Sequence, residues 1–322
     1  MIFSSKATAH WQRAKTGVMA VVFAGLLGAC GGGTSQLEPF IAHRVFAFGD
    51  DASALRSDGK RYGVNGVNAT SGAFDCSLEP LWVQVIAGYY GLVFAECNTS
   101  TPPLEPKAFM RAAAGARVAE LAAQVDAEVA AGGLRDQDLA LVTAGANDVL
   151  ELYAQYPTLS EASLLAEARA RGERLAAVVN RLVNLGAKVI VANLPDMGMT
   201  PYARAEALAH AGSGFDRAAF MTRLSTAFNE RLGVSVVLDG RYVGLAQMDL
   251  RSQAARISPQ SFGLVDVSTA VCVAALPNCS TATLVAGATA ASYLWADGTR
   301  MAPGGQSILT TLGLERARRN PF

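Results

Sequence analysis

The chain has 322 residues, with 27 Lys and Arg balanced against 27 Asp and Glu. That balance argues against nucleic acid as a partner, which would want a clustered basic face. The length allows one large α/β domain with a real core.

The first thirty residues read as an export signal. Lys6, Arg13 and Lys15 give a basic start with no acidic residue, and Thr16 to Ala29 is apolar or small throughout. This is the pattern of a secretory signal, and it is too short to span a bilayer, which takes about 20 apolar residues. The run ends in Leu27-Gly28-Ala29-Cys30, which resembles the bacterial lipobox. That resemblance implies removal of residues 1–29, lipidation of Cys30 and a membrane contact through the lipid. A plain signal cut nearby, with Cys30 incidental, is the competing reading. Gly31-Gly32-Gly33-Thr34-Ser35 suits a flexible tether, taken here as residues 30–40. No aspartate follows Cys30, which favours outer-membrane sorting and a cell-envelope location. The signal takes three of the 27 basic residues and none of the 27 acidic ones, so the remainder has 24 basic against 27 acidic, a net charge of −3. Past Cys30 the cysteines are Cys76, Cys97, Cys272 and Cys279, an even number in an exported chain. The expected pairing is Cys76 with Cys97 and Cys272 with Cys279. A metal site is the rival, but neither pair has ligand spacing and no histidine lies close.

In residues 41–322, short β-rich runs alternate with long helical patterns, the signature of a parallel sheet covered by helices. Strands are expected at Arg44 to Gly49, Phe109 to Ala113, Leu139 to Thr143, Lys188 to Asn193 and Val243 to Met248. Helices are expected at Leu81 to Tyr90, at Arg117 to Ala131, at Leu164 to Leu185, from about Asp216 to Leu232, and after Pro303. The second of these carries Val118, Leu121, Val125 and Val129 on one stripe. Ligand sites of open α/β sheets form at the carboxyl ends of the strands, so the polar residues there are the candidates.

Four blocks carry a specific resemblance. Val45-Phe46-Ala47-Phe48-Gly49-Asp50-Asp51 closes the first strand, Gly115 follows the second, Gly145-Ala146-Asn147-Asp148 closes the third, and Asp297-Gly298-Thr299-Arg300 lies near the C-terminus. Asn193 to Pro201 and Phe262 to Val267 add connecting phrases of the same kind. In this order the blocks resemble the SGNH, or GDSL, hydrolase family across almost all of the exported chain. The resemblance implies a three-layer α/β/α, flavodoxin-like fold with a mainly parallel five-stranded sheet. It makes Gly49, Asp50, Gly145 and Asp148 supporting residues, and it builds an oxyanion hole from the N–H of residue 51, the N–H of Gly115 and the Asn147 amide.

The chemistry departs from the family at two positions. Where the family has a serine nucleophile and a histidine base oriented by an aspartate three residues earlier, this chain has Asp51, Arg300 and Asp297. A carboxylate has no hydroxyl to attack with, and a guanidinium cannot accept a proton at neutral pH. The replacements are complementary in sign. One expectation therefore places the Asp51 carboxylate in or beside the hole, with Arg300 between Asp51 and Asp297; in the other, both side chains drifted and face water.

Of the histidines past the signal, His43 precedes the first strand, about 20 Å from its carboxyl end. His210 is the sole candidate base, in a segment, Tyr202 to Phe215, able to fold over the site; the plainer reading is an exposed helix-terminal residue. Ser53 reads as a turn or cap residue. Trp82 and Trp295 read as core or rim aromatics, with Trp295 a candidate for lining the cleft. Glu167 to Arg174 reads as a solvated helix face, and Arg316, Arg318 and Arg319 as a basic helix end suited to the dipole. Arg56 to Cys76 and Gln253 to Phe262 are read as loops able to cover the cleft. No cofactor and no metal is implied. Two functions stand: a noncatalytic envelope lipoprotein binding a small-molecule, glycan or lipid ligand in the former cleft, or an atypical esterase or lipase.

Overall fold

The computed structural model describes residues 39–319, so the expected signal, Cys30 and most of the tether lie outside the described residues. The domain is built on five parallel strands: β1 (Arg44–Gly49), β2 (Ala108–Met110), β3 (Asp138–Thr143), β4 (Lys188–Ala192) and β5 (Val243–Ala246), in the order β2-β1-β3-β4-β5. Every pairing is parallel, with Gly49 level with Thr143 and Thr143 level with Ala192. The carboxyl ends of the three central strands therefore finish side by side.

Alternation along these strands decides which helices cover which face, because successive side chains point to opposite sides. Phe46 and Phe48 of β1, with Ala140, Val142, Val189 and Val191, meet α2 (Val118–Ala130), α3 (Ala146–Ala154), α4 (Glu161–Asn184) and α6 (Arg217–Ser235). Val45 and Ala47, with Leu139, Leu141 and Ile190, meet α1 (Trp82–Tyr89), α7 (Met248–Ile257) and α8 (Pro303–Arg319). The sheet is thus sandwiched, as the sequence pattern predicts. A close approach is set by Gly172, where a Cβ would lie 2.2 Å from the Phe228 carbonyl, so α4 and α6 pack backbone to backbone there.

Several boundaries differ from expectation. Strand β2 stops at Met110, because Arg111, Ala112 and Ala113 turn their N–H groups onto the Ala47 and Gly49 carbonyls. Helix α4 starts at Glu161, capped by the Ser160 side chain. Val129 is exposed, so the α2 stripe ends at Val125. The segment 253–262 is no loop: most of it is the end of α7 followed by a 3₁₀ turn, Pro259–Phe262. Helices α3, α5 (Pro201–Ala209) and α7 and the small parallel pair β6 (Asp266–Ala270) and β7 (Tyr293–Trp295) had no periodic signal long enough to predict them. Phe40, the last residue of the expected tether, packs edge-on against Tyr90 and belongs to the folded domain.

Both disulfides join the expected partners, Cys76 to Cys97 and Cys272 to Cys279. The first anchors the segment 56–76, which is also held by the buried Arg61 guanidinium donating to the carbonyls of Cys76, Leu78 and Glu79. The second closes a turn in the long connection between β6 and β7.

Candidate functional site

The site begins where β1 ends. Gly49 has φ +124°, and a Cβ there would lie 1.7 Å from the Thr143 carbonyl oxygen, so only glycine lets β1 and β3 run this close. The Gln124 side chain holds both backbone groups of Gly49, accepting from its N–H and donating to its carbonyl. The chain then turns: the Asp50 carbonyl accepts from Ser53 and Ala54, and the Asp50 carboxylate accepts from the Ala52 N–H at 3.1 Å. This turn aims Asp51 over the strand ends.

Three other segments converge on Asp51. Gly115, at φ +74°, presents its N–H to Asp51 Oδ2 at 2.9 Å. Gly145, also left-handed, opens α3 so that Asn147 faces the same point, and Asn147 Nδ2 donates to Asp51 Oδ2 at 3.0 Å and to the Ala116 carbonyl at 3.0 Å. Arg300 Nε donates to Asp51 Oδ1 at 2.8 Å, while Arg300 Nη1 donates to Asp297 Oδ2 at 2.8 Å. Asp297 Oδ1 in turn accepts the N–H groups of Thr299 and Arg300. The result is an unbroken line, Asn147 and Gly115 to Asp51 to Arg300 to Asp297. The paired arrangement expected from the sequence is the one present, and the drifted, water-facing alternative is not.

The supporting residues sit one layer back. Asp148 accepts from the Val118 N–H at 3.0 Å and from Arg171 Nη1 at 3.2 Å, tying the loop that carries Gly115 to α3 and α4. Arg171 also bonds Glu151 and Glu167. The stretch Glu167 to Arg174 is therefore not simply a solvated face, since Arg171 is largely buried beneath Asp148.

Electrostatics separate the two adjacent aspartates. Burial works to raise the Asp51 pKa, but the Asn147 amide, the Arg300 charge and the Gly115 N–H outweigh it, and the carboxyl titrates below its ordinary range. Asp50, wholly buried, is pushed up to about 7 by desolvation and by the Asp51 charge, against the bonds from Ala52 and Thr143. For Arg300, burial favours the neutral form but Asp51 and Asp297 more than offset it, so the guanidinium holds its proton above its ordinary range. At neutral pH the line therefore consists of fixed charges and has no proton acceptor of the kind an esterase base supplies.

A cavity of about 60 Å³ opens beside this line. Its walls combine Leu150, Leu194, Met197, Met248 and Leu309 with the polar Asn193 and Gln306. Tyr62, from the segment 56–76, lines it as well, and the Arg300 guanidinium carbon lies 5.9 Å from its ring centre. Sequence reasoning singled out neither Tyr62 nor Gln306, which belong to no block, and it read Met248 as the end of a strand, whereas β5 stops at Ala246 and Met248 opens α7. Gln306 bridges two elements, donating to the Ala52 carbonyl and accepting from the Trp82 N–H. Asn193 stood in a noted phrase, and its side-chain oxygen accepts the Asp249 N–H near the start of α7.

The other candidates fall away from the site. Ser53 is fully buried, shares a hydrogen with Thr143 Oγ1 at 2.7 Å and accepts from Trp82 Nε1 at 2.9 Å, so its hydroxyl is engaged in the turn. Trp295 is buried and donates to the Val267 carbonyl; it does not line the cavity. His43 is exposed at the amino end of β1. His210 follows α5, 3.6 Å from Glu206, and neither it nor the rest of 202–215 reaches the cavity lining. Among the described residues no group of three or more His, Cys, Asp or Glu is placed to hold a metal ion.

The model of the GDSL-like lipase/acylhydrolase family matches residues 45–237, which include Asp51, Gly115 and Asn147. The chain belongs to this family. Asp297 and Arg300 lie beyond the matched stretch, and it is the fold that returns them to the family site. Solved structures similar to this GDSL-family chain include an acetylxylan esterase from Geobacillus stearothermophilus, at 13% identity over 87% of this chain and 96% of that one, with a TM-score of 0.43. Another is a lipolytic G-D-S-L family protein from Veillonella parvula, at 10% identity over 84% and 96%, with a TM-score of 0.42. A comparison with curated proteins finds no matching sequence.

Proposed function

We propose that this member of the GDSL family is a noncatalytic binding protein of the cell envelope, anchored by a lipid on Cys30, that holds an envelope ligand in the cleft beside Asp51. One observation supports the loss of ester hydrolysis above all others. The Asp51 carboxylate already accepts the Gly115 N–H, the Asn147 amide and the Arg300 guanidinium, so the donors that would stabilise an ester's oxyanion are satisfied by the protein itself. The charged line also leaves no nucleophilic hydroxyl and no base within it. In serine hydrolases, loss of the nucleophile or the base costs about a millionfold in turnover.

The test is nitrophenyl acetate and octanoate turnover together with fluorophosphonate labelling of the purified full chain. Neither turnover above the buffer rate nor labelling is expected. Asp51→Ser combined with Arg300→His should gain labelling at residue 51 and weak turnover, because Asp297 is already placed to orient an imidazole at 300. Stoichiometric labelling of any serine in the unaltered protein would overturn the proposal. For the anchor, Cys30→Ala should move the protein from the membrane fraction to the soluble one and abolish palmitate incorporation; unchanged fractionation would sink that part alone.

A further inference from the structure

A second concavity lies outside the family site and shares no lining residue with it. It is an open groove of about 640 Å³, roughly ten times the cleft, walled by α5, the start of α6, the end of α7 and β6. Arg204 of α5, Arg223 of α6 and Arg256 of α7 all line it. They come from three separate elements, so their convergence is a product of the fold and not of a basic run in the chain.

Their bonding differs. Arg223 is held by Glu161 at 2.5 Å and lies against the rings of Phe215 and Phe220. The guanidinium groups of Arg204 and Arg256 make no hydrogen bond or ion pair with any described residue, although both side chains line the same space. Against three guanidinium groups the groove has one acid, Asp216, whose Oδ1 is engaged in capping α6 through the Ala219 N–H. The walls between them are small: Gly198, Ala207, Ala218 and Ala219. One side is also firmly built. A Cβ on Gly198 would lie 2.1 Å from Thr222 Oγ1, and Asp196 ties the two segments by accepting from both the Gly198 N–H and the Thr222 hydroxyl. Unpaired arginines around a small-residue trough match planar or tetrahedral anionic oxygens, which take two N–H bonds from one guanidinium.

We propose that this groove binds an extended ligand carrying two or more anionic oxygen groups, phosphates or carboxylates. Its volume of about 640 Å³ suits a molecule larger than a single small anion, with charges that meet Arg204 of α5 and Arg256 of α7. The proposal is independent of the reading of the cleft and stands or falls apart from it.

Two probes separate the sources of such charge: tripolyphosphate for phosphates and trigalacturonate for an acidic glycan, each titrated calorimetrically into the full chain in an uncharged detergent. At least one should fill a single site, and Arg204→Gln with Arg256→Gln should weaken it by about tenfold or more. Removing the same charge at Arg169 and Arg251, exposed and outside the groove, should change it by less than about twofold, the scale of a rim charge screened by salt. Ala207→Trp, which fills the groove and leaves every arginine in place, should also abolish binding. Tripolyphosphate alone binding would assign a phosphate ligand, and trigalacturonate alone an acidic glycan. Binding of neither probe, equal losses in the two arginine pairs, or full affinity in Ala207→Trp would each overturn the proposal.

Discussion

Asp50 and Asp51 are neighbours on one turn, yet the protein treats them in opposite ways. The Asp51 side of the turn faces the strand ends, where an amide, a backbone N–H and a guanidinium reach it from three distant segments. The Asp50 side faces inward, where a backbone N–H from its own turn and the Thr143 hydroxyl are its partners. Both carboxyls are almost wholly removed from water. Burial alone therefore does not decide whether a carboxylate survives in the interior. The number and charge of the donors around it do, because each must repay part of the lost hydration.

The largest expected effect comes from breaking the Asp51 side. Asp51→Ala leaves Arg300 with Asp297 alone, orphans the Gly115 N–H and leaves the Asn147 amide with only the Ala116 carbonyl. Removing one partner of a buried pair costs about 3–5 kcal/mol. Arg300 keeps part of its side chain in water, so we expect about 2–3 kcal/mol at pH 7, read from urea unfolding. A loss within a few tenths of a kcal/mol would mean that the Asp51 line contributes nothing to stability.

The Asp50 side sharpens the contrast through pH. Its folded pKa, about 7, lies above the unfolded value near 3.8, so the folded state holds a proton that the unfolded chain has released. The contribution is fully present below the unfolded pKa, falls as pH rises between roughly 4 and 7 at about 1.4 kcal/mol per pH unit, and is flat above 7. Asp51 runs the other way: its depressed pKa stabilises the fold above about pH 4, and that stability is lost as pH falls through the folded value. Asp50→Asn should therefore remove a downward slope between pH 4 and 7 and leave the protein at least as stable as the unaltered chain at pH 7. Parallel stability profiles for the two proteins across that range would show that Asp50 is ionised in the folded state.

The legibility of the site follows the same division. Gly49, Gly115 and Gly145 could be found from sequence because their backbone conformations are demanding and recur at fixed places after strands. Asp51, Asn147, Asp297 and Arg300 were legible because block order placed them, and the complementary charges at 51 and 300 suggested a pair. Tyr62 and Gln306 were not, since nothing in their neighbours marks a wall that forms when segments some 240 residues apart meet; Gln306 links α8 to the turn after β1. The reading of 253–262 as a loop failed for a related reason: α7 is short, and packing against the sheet, not a long apolar period, makes it a helix.

The sequence by itself determined the parallel sheet, the even number of cysteines past Cys30 and the absence of a serine and a histidine from the family positions, because periodicity, residue type and block order are local properties of a chain. Only the tertiary structure decided that Asp51 takes the hole's own donors, that Asp50 beside it is held in a proton-retaining pocket, and that three scattered arginines share one groove. Each of those depends on which atoms come within about 3 Å of one another, and that distance is set by packing across the whole sheet.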